Sequence, residues 1–155
     1  MNIKDLAIGL YAKDYKKIKE LAKKYNLDPV NDFWELARGS TKKWIITHDA
    51  VERIATIEGI IFDIPDVYVG ENKVISKNTG NETITTSVAM IGKAKLGDRE
   101  IWTTGESSSH NTKNPYFWAM SEKRLKDRLC LKLIQAYEYG IYSEDEADAF
   151  RRTDK

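Results

Sequence analysis

Residues 100–140, EIWTTGESSSHNTKNPYFWAMSEKRLKDRLCLKLIQAYEYG, decide how the rest of this chain is read. The stretch begins as a β-rich run, turns at Gly105 into a small polar loop, and continues as one long basic amphipathic helix from Pro115 to Tyr137. Asn114 is placed to cap that helix, and Pro115 stands at its first position, where a missing N–H costs nothing. Glu122 with Lys126, and Lys123 with Asp127, stand at i,i+4 and are expected to pair on the surface. Arg124, Arg128 and Lys132 are left over at i,i+4,i+8, so at about 100° per residue they form one stripe of positive charge. Like charges at that spacing cost an isolated helix roughly 0.2–0.5 kcal/mol per pair, a cost that a polyanion laid along the helix reverses. Beyond Leu129 the helix is apolar almost all round, which predicts burial on more than one side.

Working outward, Thr83 to Lys95 and Arg99 to Gly105 flank Leu96-Gly97-Asp98 and read as an antiparallel hairpin. Ile60 to Ile64 precedes Pro65, and Val67 to Val69 resumes an extended run. Asn72 to Asn81 is polar, with Gly70 and Gly80 as punctuation, and reads as a mobile loop or ragged hairpin. Thr47 or Asp49 caps a short helix whose apolar face is Val51, Ile54 and Ala55 and whose stop is Gly59. Asp32 to Leu36 reads as either helix or strand, but the turn at Arg38-Gly39-Ser40 and the β-rich Lys43 to Thr47 that follow fit a hairpin. Tyr15, Ile18, Leu21, Ala22 and Tyr25 recur at helical spacing, so Lys13 to Tyr25 is a helix with its lysines in solvent. Residues 1–12 read as an extra short helix for oligomer contact.

The architecture expected from this order is α+β: an antiparallel β-meander with the long basic helix packed on the sheet. One domain covers residues 1–140. Residues 141–155, where Glu144, Asp145, Glu146 and Asp148 gather, read as a short, acidic, flexible tail. A chain of 155 residues can bury roughly two-thirds of its unfolded surface in one core without a staple. The single Cys130 lies between leucines and reads as a small buried hydrophobe, which suits a reducing compartment. With no secretory pattern and no apolar run of about 18 residues, the expectation is a soluble cytoplasmic protein with no membrane contact. Net charge is only +1, but basic residues crowd positions 13–24 and 113–132 while acidic ones gather near the C-terminus, a segregation that suits a polyanion groove or oligomer contacts.

Enzymatic patterns are sought and not found. His48 and His110 lie in different segments and, with one cysteine, do not build a usual zinc set, so no metal and no cofactor are expected. Ser107 to Ser109 lack the glycine spacing of a nucleophile elbow, and Gly92-Lys93 lacks the rest of a phosphate-binding loop. Aromatic residues are more suggestive: Trp34, Trp44 and Trp102 fall in expected strands, and Tyr116, Phe117 and Trp118 open the long helix beside Lys113. Rings beside cations are what single-stranded nucleic acid uses, with about 1–3 kcal/mol per stacked base, although core packing explains most such rings.

With these elements in this order, the chain resembles the Rad fifty-two superfamily of single-strand annealing proteins, which includes phage recombinases. The resemblance runs from about Lys13 to Gly140 and rests on several stretches. Lys13-Asp14-Tyr15 opens a helix, and Lys42 to His48 is followed by Val51 to Gly59. Ser87 to Leu96, Gly97-Asp98 and Glu100 to Glu106 resemble the hairpin, and Ala119, Glu122, Lys123, Lys126, Asp127 and Leu133 the long helix. It implies a non-enzymatic, ATP-independent protein that binds single-stranded DNA and anneals complementary strands in homologous recombination and DNA repair. It also implies a β-β-β-α core, phage or prophage origin, assembly into a homo-oligomeric ring or filament, and an exonuclease or single-strand-binding protein as partner. The residues it assigns to DNA are Arg124, Arg128 and Lys132 with Arg38, Lys42, Lys43 and Lys113. The pattern departs at Ile134-Gln135, where relatives carry a basic pair. The alternatives are an oligomeric interaction protein of the same fold, binding a protein partner or DNA ends without annealing, and a small metal-dependent nuclease.

Overall fold

In a computed structural model, residues 12–38, 41–109, 111–112 and 114–151 are described, without the side chains of residues 12–15, 37–38, 41–42 and 148–151. The chain runs α1 (Ala12–Tyr25), β1 (Phe33–Arg38), β2 (Thr41–Ile46), α2 (His48–Glu58), β3 (Ile61–Phe62), β4 (Asp66–Ile75), β5 (Glu82–Leu96), β6 (Arg99–Ser108), α3 (Phe117–Leu133), a 3-10 turn (Ala136–Tyr139), β7 (Ile141–Ser143) and α4 (Glu144–Arg151). The class is α+β. Among the described residues, no helix is long and apolar enough to cross a membrane.

Turn chemistry sets most boundaries. Thr47 caps α2 by accepting a hydrogen bond from the Ala50 amide, and Gly59 ends it in the left-handed conformation at φ +68°. Asn26 stops α1 with φ +53°. Gly97, at φ +60°, opens a two-residue turn that brings Leu96 opposite Arg99.

Two sheets result. In the smaller, β2 pairs antiparallel with β1 and parallel with β7, joining Trp44 to Ile141 and Ile46 to Ser143. In the larger, β5 is central: β6 lies on one side, and β4 and β3 share the other, all antiparallel. The polar run from Asn72 to Asn81 is not a loop throughout. It continues β4 to Ile75 and returns as β5 from Glu82, so the pair forms a ten-rung ribbon closed by the hydrogen bonds Ser76 N to Asn81 O and Gly80 N to Ser76 O.

The long helix α3 lies across the larger sheet and is buried on two sides, as its apolar composition requires. Leu125, Leu129 and Leu133 pack with Val88, Met90 and Ala94 of β5. Cys130 and Leu131 face the other way, into a core built from Ile18, Tyr25, Trp44, Ile46 and Ile54. Burial pushes the Cys130 thiol up to about 12, which agrees with a small buried hydrophobe. The helix stops at Leu133, short of Tyr137, because Gln135 takes φ +60° and the chain turns into the 3-10 segment. Its start also differs: Tyr116 is the boundary residue, and Asn114 accepts only from the Tyr116 amide.

Gly105 is not a turn. It lies within β6, buried beneath α3, where a Cβ would sit 2.3 Å from the Ser121 carbonyl oxygen and 2.5 Å from the Leu125 nitrogen. The strand and helix backbones therefore meet without a side chain between them. Beside the contact, the Ser107 hydroxyl bonds that of Ser121 at 2.7 Å, and Ser121 donates to the Val88 carbonyl at 2.8 Å. Gly105→Ala should lower stability by about 1–3 kcal/mol or more through overpacking, read as a shift in urea midpoint; an unchanged midpoint would mean that α3 does not rest on β6.

Candidate functional site

Of the basic stripe, Arg124 is buried, Arg128 half-buried and only Lys132 faces solvent. Arg124 is 2 % exposed and all three of its guanidinium nitrogens are engaged. Nε donates to the Asp145 carbonyl at 2.8 Å, Nη1 to the Glu106 carbonyl at 2.8 Å and to Asn111 Oδ1 at 2.9 Å, and Nη2 to the Asn111 carbonyl at 2.6 Å. Arg128, one helical turn on, donates to the Thr104 carbonyl at 2.8 Å and pairs with Glu146 at 2.7 Å and Glu106 at 3.1 Å. Its charged form is held firmly, because Glu106 and Glu146 outweigh the desolvation that works against it.

The spacing explains itself once the partner is seen. Four residues of helix rise about 6 Å and two residues of strand about 6.8 Å, so arginines at i,i+4 meet the carbonyls of Thr104 and Glu106 in β6. Among the described elements, β6 pairs only with β5, and the two guanidinium groups satisfy acceptors along its other margin. Exposed strand edges invite unwanted pairing, and here side chains from α3 occupy this one. Placing Arg124 and Arg128 on a DNA edge is therefore corrected: both stitch α3 to β6 and to the acidic segment. Lys132 is exposed, with Nζ 3.0 Å from the Thr103 hydroxyl.

The other basic candidates are scattered. Lys43 lies with its ammonium 4.7 Å from the centre of the Tyr142 ring. Arg38 and Lys42 stand at the turn end of the β1–β2 hairpin, opposite Thr41 and Ala37, with side chains outside those described. Lys113, His110 and the expected helix at residues 1–11 lie outside the described residues.

The acidic cluster is docked, not trailing. β7 pairs with β2, Glu144 accepts from the His48 amide at 2.8 Å, and Glu146 accepts from Arg128 at 2.7 Å and from the Tyr137 hydroxyl at 3.0 Å. The arginines supply the positive charge that the segregated sequence reserved for a polyanion.

Asp127 also leaves its expected place. It does not pair with Lys123 on the surface; its side chain is 1 % exposed, and His48 Nδ1 lies 2.8 Å from its Oδ1. Asp145 Oδ2 is 3.4 Å from the same nitrogen, and Glu52 is 3.2 Å from His48 Nε2. The hydrogen bond that His48 donates to Asp127, helped by the charges of Asp127, Asp145 and Glu52, raises the imidazole to about 9 against desolvation. Burial first, and Asp145 second among the raising influences, lift the Asp127 carboxyl to about 7 although His48 opposes. One imidazolium thus faces more carboxylate charge than it neutralises. The grouping joins three segments through residues 48, 127 and 145, so no sequence spacing reveals it. The available signal was Asp127 itself, on the same helical stripe as Met120, Arg124 and Leu131, where a carboxylate needs a buried partner. By contrast, Glu122 pairs with Lys126 at 2.7 Å as its spacing predicts.

The face of the larger sheet turned away from α3 has a different character. Lys93 and Trp102 are directly opposite in the β5–β6 register, both exposed, and Tyr68, Ala89 and Ile91 continue the surface. Trp102 is 65 % exposed and Tyr68 58 %. Tyr116 and Trp118, at the start of α3, are exposed as well, whereas Trp44 is buried in the core.

Compared with known proteins, the chain matches no family model, and no curated protein or solved structure closely enough to count as a relative.

Arg124→Lys should cost at least about 2 kcal/mol, since an ammonium cannot replace the planar fork and leaves buried carbonyls without donors. An exposed phosphate contact would change the denaturation midpoint by no more than about 0.5 kcal/mol. The His48 pKa, raised from 6.5 to about 9, predicts a pH effect whose sign is definite. Its stabilisation is complete below pH 6.5 and is lost as pH rises through about 9. Thermal scans in chelator should show about 1–2 kcal/mol lost over that window, and His48→Gln should flatten it.

Proposed function

We propose that this protein binds single-stranded DNA and anneals complementary strands without ATP, as a non-enzymatic component of phage-type homologous recombination and repair in a bacterial cytoplasm. The observation that carries the reading is the Lys93–Trp102 pair on the outer sheet face: an exposed indole beside an exposed ammonium, near the turn end of the β5–β6 hairpin. A ring takes a base by stacking and a neighbouring lysine takes a phosphate, and neither reads sequence. Lys95, Arg99 and Lys132 are exposed basic residues toward the same turn of the hairpin and the end of α3. The order of hairpin, ribbon and long helix, and its resemblance to the annealing superfamily, support the same conclusion. With Arg124 and Arg128 committed to the fold, the DNA contact moves from the helix to the sheet.

Assembly into a ring or filament belongs to this proposal. The β4–β5 ribbon exposes Val69, Val74, Ile75 and Ile84, whose apolar surface suits contact between copies. The same ribbon favours, as a second reading, an oligomeric interaction protein without annealing activity.

Labelled complementary oligonucleotides mixed with the protein, without nucleotide, should anneal faster than alone; no acceleration would sink the annealing reading. Trp102→Ala should weaken single-strand binding about 5- to 100-fold. Lys93→Glu should reduce the slope of log affinity against log salt by about 0.7 for the phosphate lost, with the fold unchanged by circular dichroism.

A further inference from the structure

We propose that His48, Asp127 and Asp145, with Glu52 beside them, form a binding site for one divalent transition-metal cation of the Mn2+ or Zn2+ class. One ligand atom from each of His48, Asp127 and Asp145 lies within 4.8 Å of the others. Nδ1 of His48 is already 2.8 Å from one carboxylate and 3.4 Å from the other. Ligands about 2.1 Å from a shared four-coordinate ion stand roughly 3.4 Å apart, so small side-chain rotations suffice.

Two buried oxygens point to a missing partner. The side chains of Asp127 and Asp145 are 1 % and 10 % exposed, yet Oδ2 of each receives no hydrogen bond. A buried acceptor without a donor is unusual enough to need an explanation. Here Oδ2 of Asp145 stands 3.4 Å from His48 Nδ1, the nitrogen that Asp127 meets through Oδ1, and with Glu52 at Nε2 three carboxyl groups surround one imidazole. A divalent ion would satisfy both oxygens and reverse the imbalance by displacing the proton on Nδ1.

The donor set selects the metal class. One imidazole nitrogen with carboxylate oxygens suits Mn2+ or Zn2+, whereas Ca2+ takes six to eight oxygens and Mg2+ prefers oxygen alone. The path to Asp127 is a cleft of about 350 Å³ between α2 and α3, lined by Val51, Glu52, Ala55, Lys126 and Cys130. An ion held by His48, Asp127 and Asp145 would bind the first residue of α2, the middle of α3 and the start of α4 together, and so hold the C-terminal helix on the body of the protein.

The test uses the full chain stripped with chelator and needs no DNA, so it stands apart from the annealing assay. Mn2+ titrated into the protein should lose its free-ion electron paramagnetic resonance signal to one site per chain. Zn2+ at a hundredfold excess over Kd should raise the unfolding midpoint by about 5 °C. Asp145→Asn should weaken Mn2+ binding at least about tenfold at an unchanged circular dichroism spectrum. Glu52→Gln, on an exposed side chain that folding does not need, should weaken it severalfold and guards against an Asp145 variant that fails to fold. An undiminished Mn2+ signal at about 1 mM protein, or equal binding by wild type and both variants, overturns the site.

Discussion

A guanidinium group in the interior holds this structure together. Removing a cation from water costs several kcal/mol even after the surroundings relax, and Arg124 offsets that cost by donating to the backbone carbonyls of Glu106, Asn111 and Asp145 at once. Those carbonyls belong to the end of β6, the loop beyond it and the first turn of α4. No apolar side chain could serve all three, because each would be left with an unsatisfied acceptor. Three segments far apart in the chain are thus located relative to one another by a single planar fork. Arg128 extends the same role through the Thr104 carbonyl and through Glu146, which is itself bonded by Tyr137.

The helix that carries these arginines can reach β6 only because of what β6 lacks. At Gly105 the strand has no side chain, so α3 comes close enough for its arginines to reach the strand's carbonyls and for Ser107 and Ser121 to bond. The approach also leaves α3 with two apolar flanks, one on β5 and one on the core formed by α1, α2 and β2. A helix this deeply embedded positions other elements and keeps little of its surface for a ligand.

Surface chemistry is consequently found elsewhere. The larger sheet turns one face to α3 and leaves the other open, with Trp102, Lys93 and Tyr68 upon it, while the β4–β5 ribbon carries apolar residues outward. Below the cleft between α2 and α3, the imidazole and carboxylates of residues 48, 127 and 145 lie beside the same α4 segment that Arg124 holds. The acidic cluster near the C-terminus therefore meets positive charge inside its own chain, and the modest net charge of +1 reflects internal matching.

Local rules were enough for the elements that depend on neighbours in sequence. Thr47 and Gly59 bound α2, Gly97 closes the hairpin, and helical spacing marks α1 and the apolar part of α3, because caps, turns and periodicity act over a few residues. The α+β class followed from that order. Where the reading failed, the deciding partner was distant. Arg124, Arg128 and Asp127 read as surface charges when paired by i,i+4 spacing, and only β6, α2 and α4 bury Arg124 and Asp127 and half-bury Arg128. Likewise, a glycine followed by serines reads as a turn until a helix is laid across it, and Asn72 to Asn81 leaves loop and ragged hairpin both open until two strands pair along it. The sequence alone determined the helices α1 to α3, the turns at Gly59 and Gly97 and the apolar faces, since these are set by backbone and near-neighbour energetics. The tertiary structure alone decided which charges are buried, because a charge enters the interior only where partners from remote segments converge to replace its water.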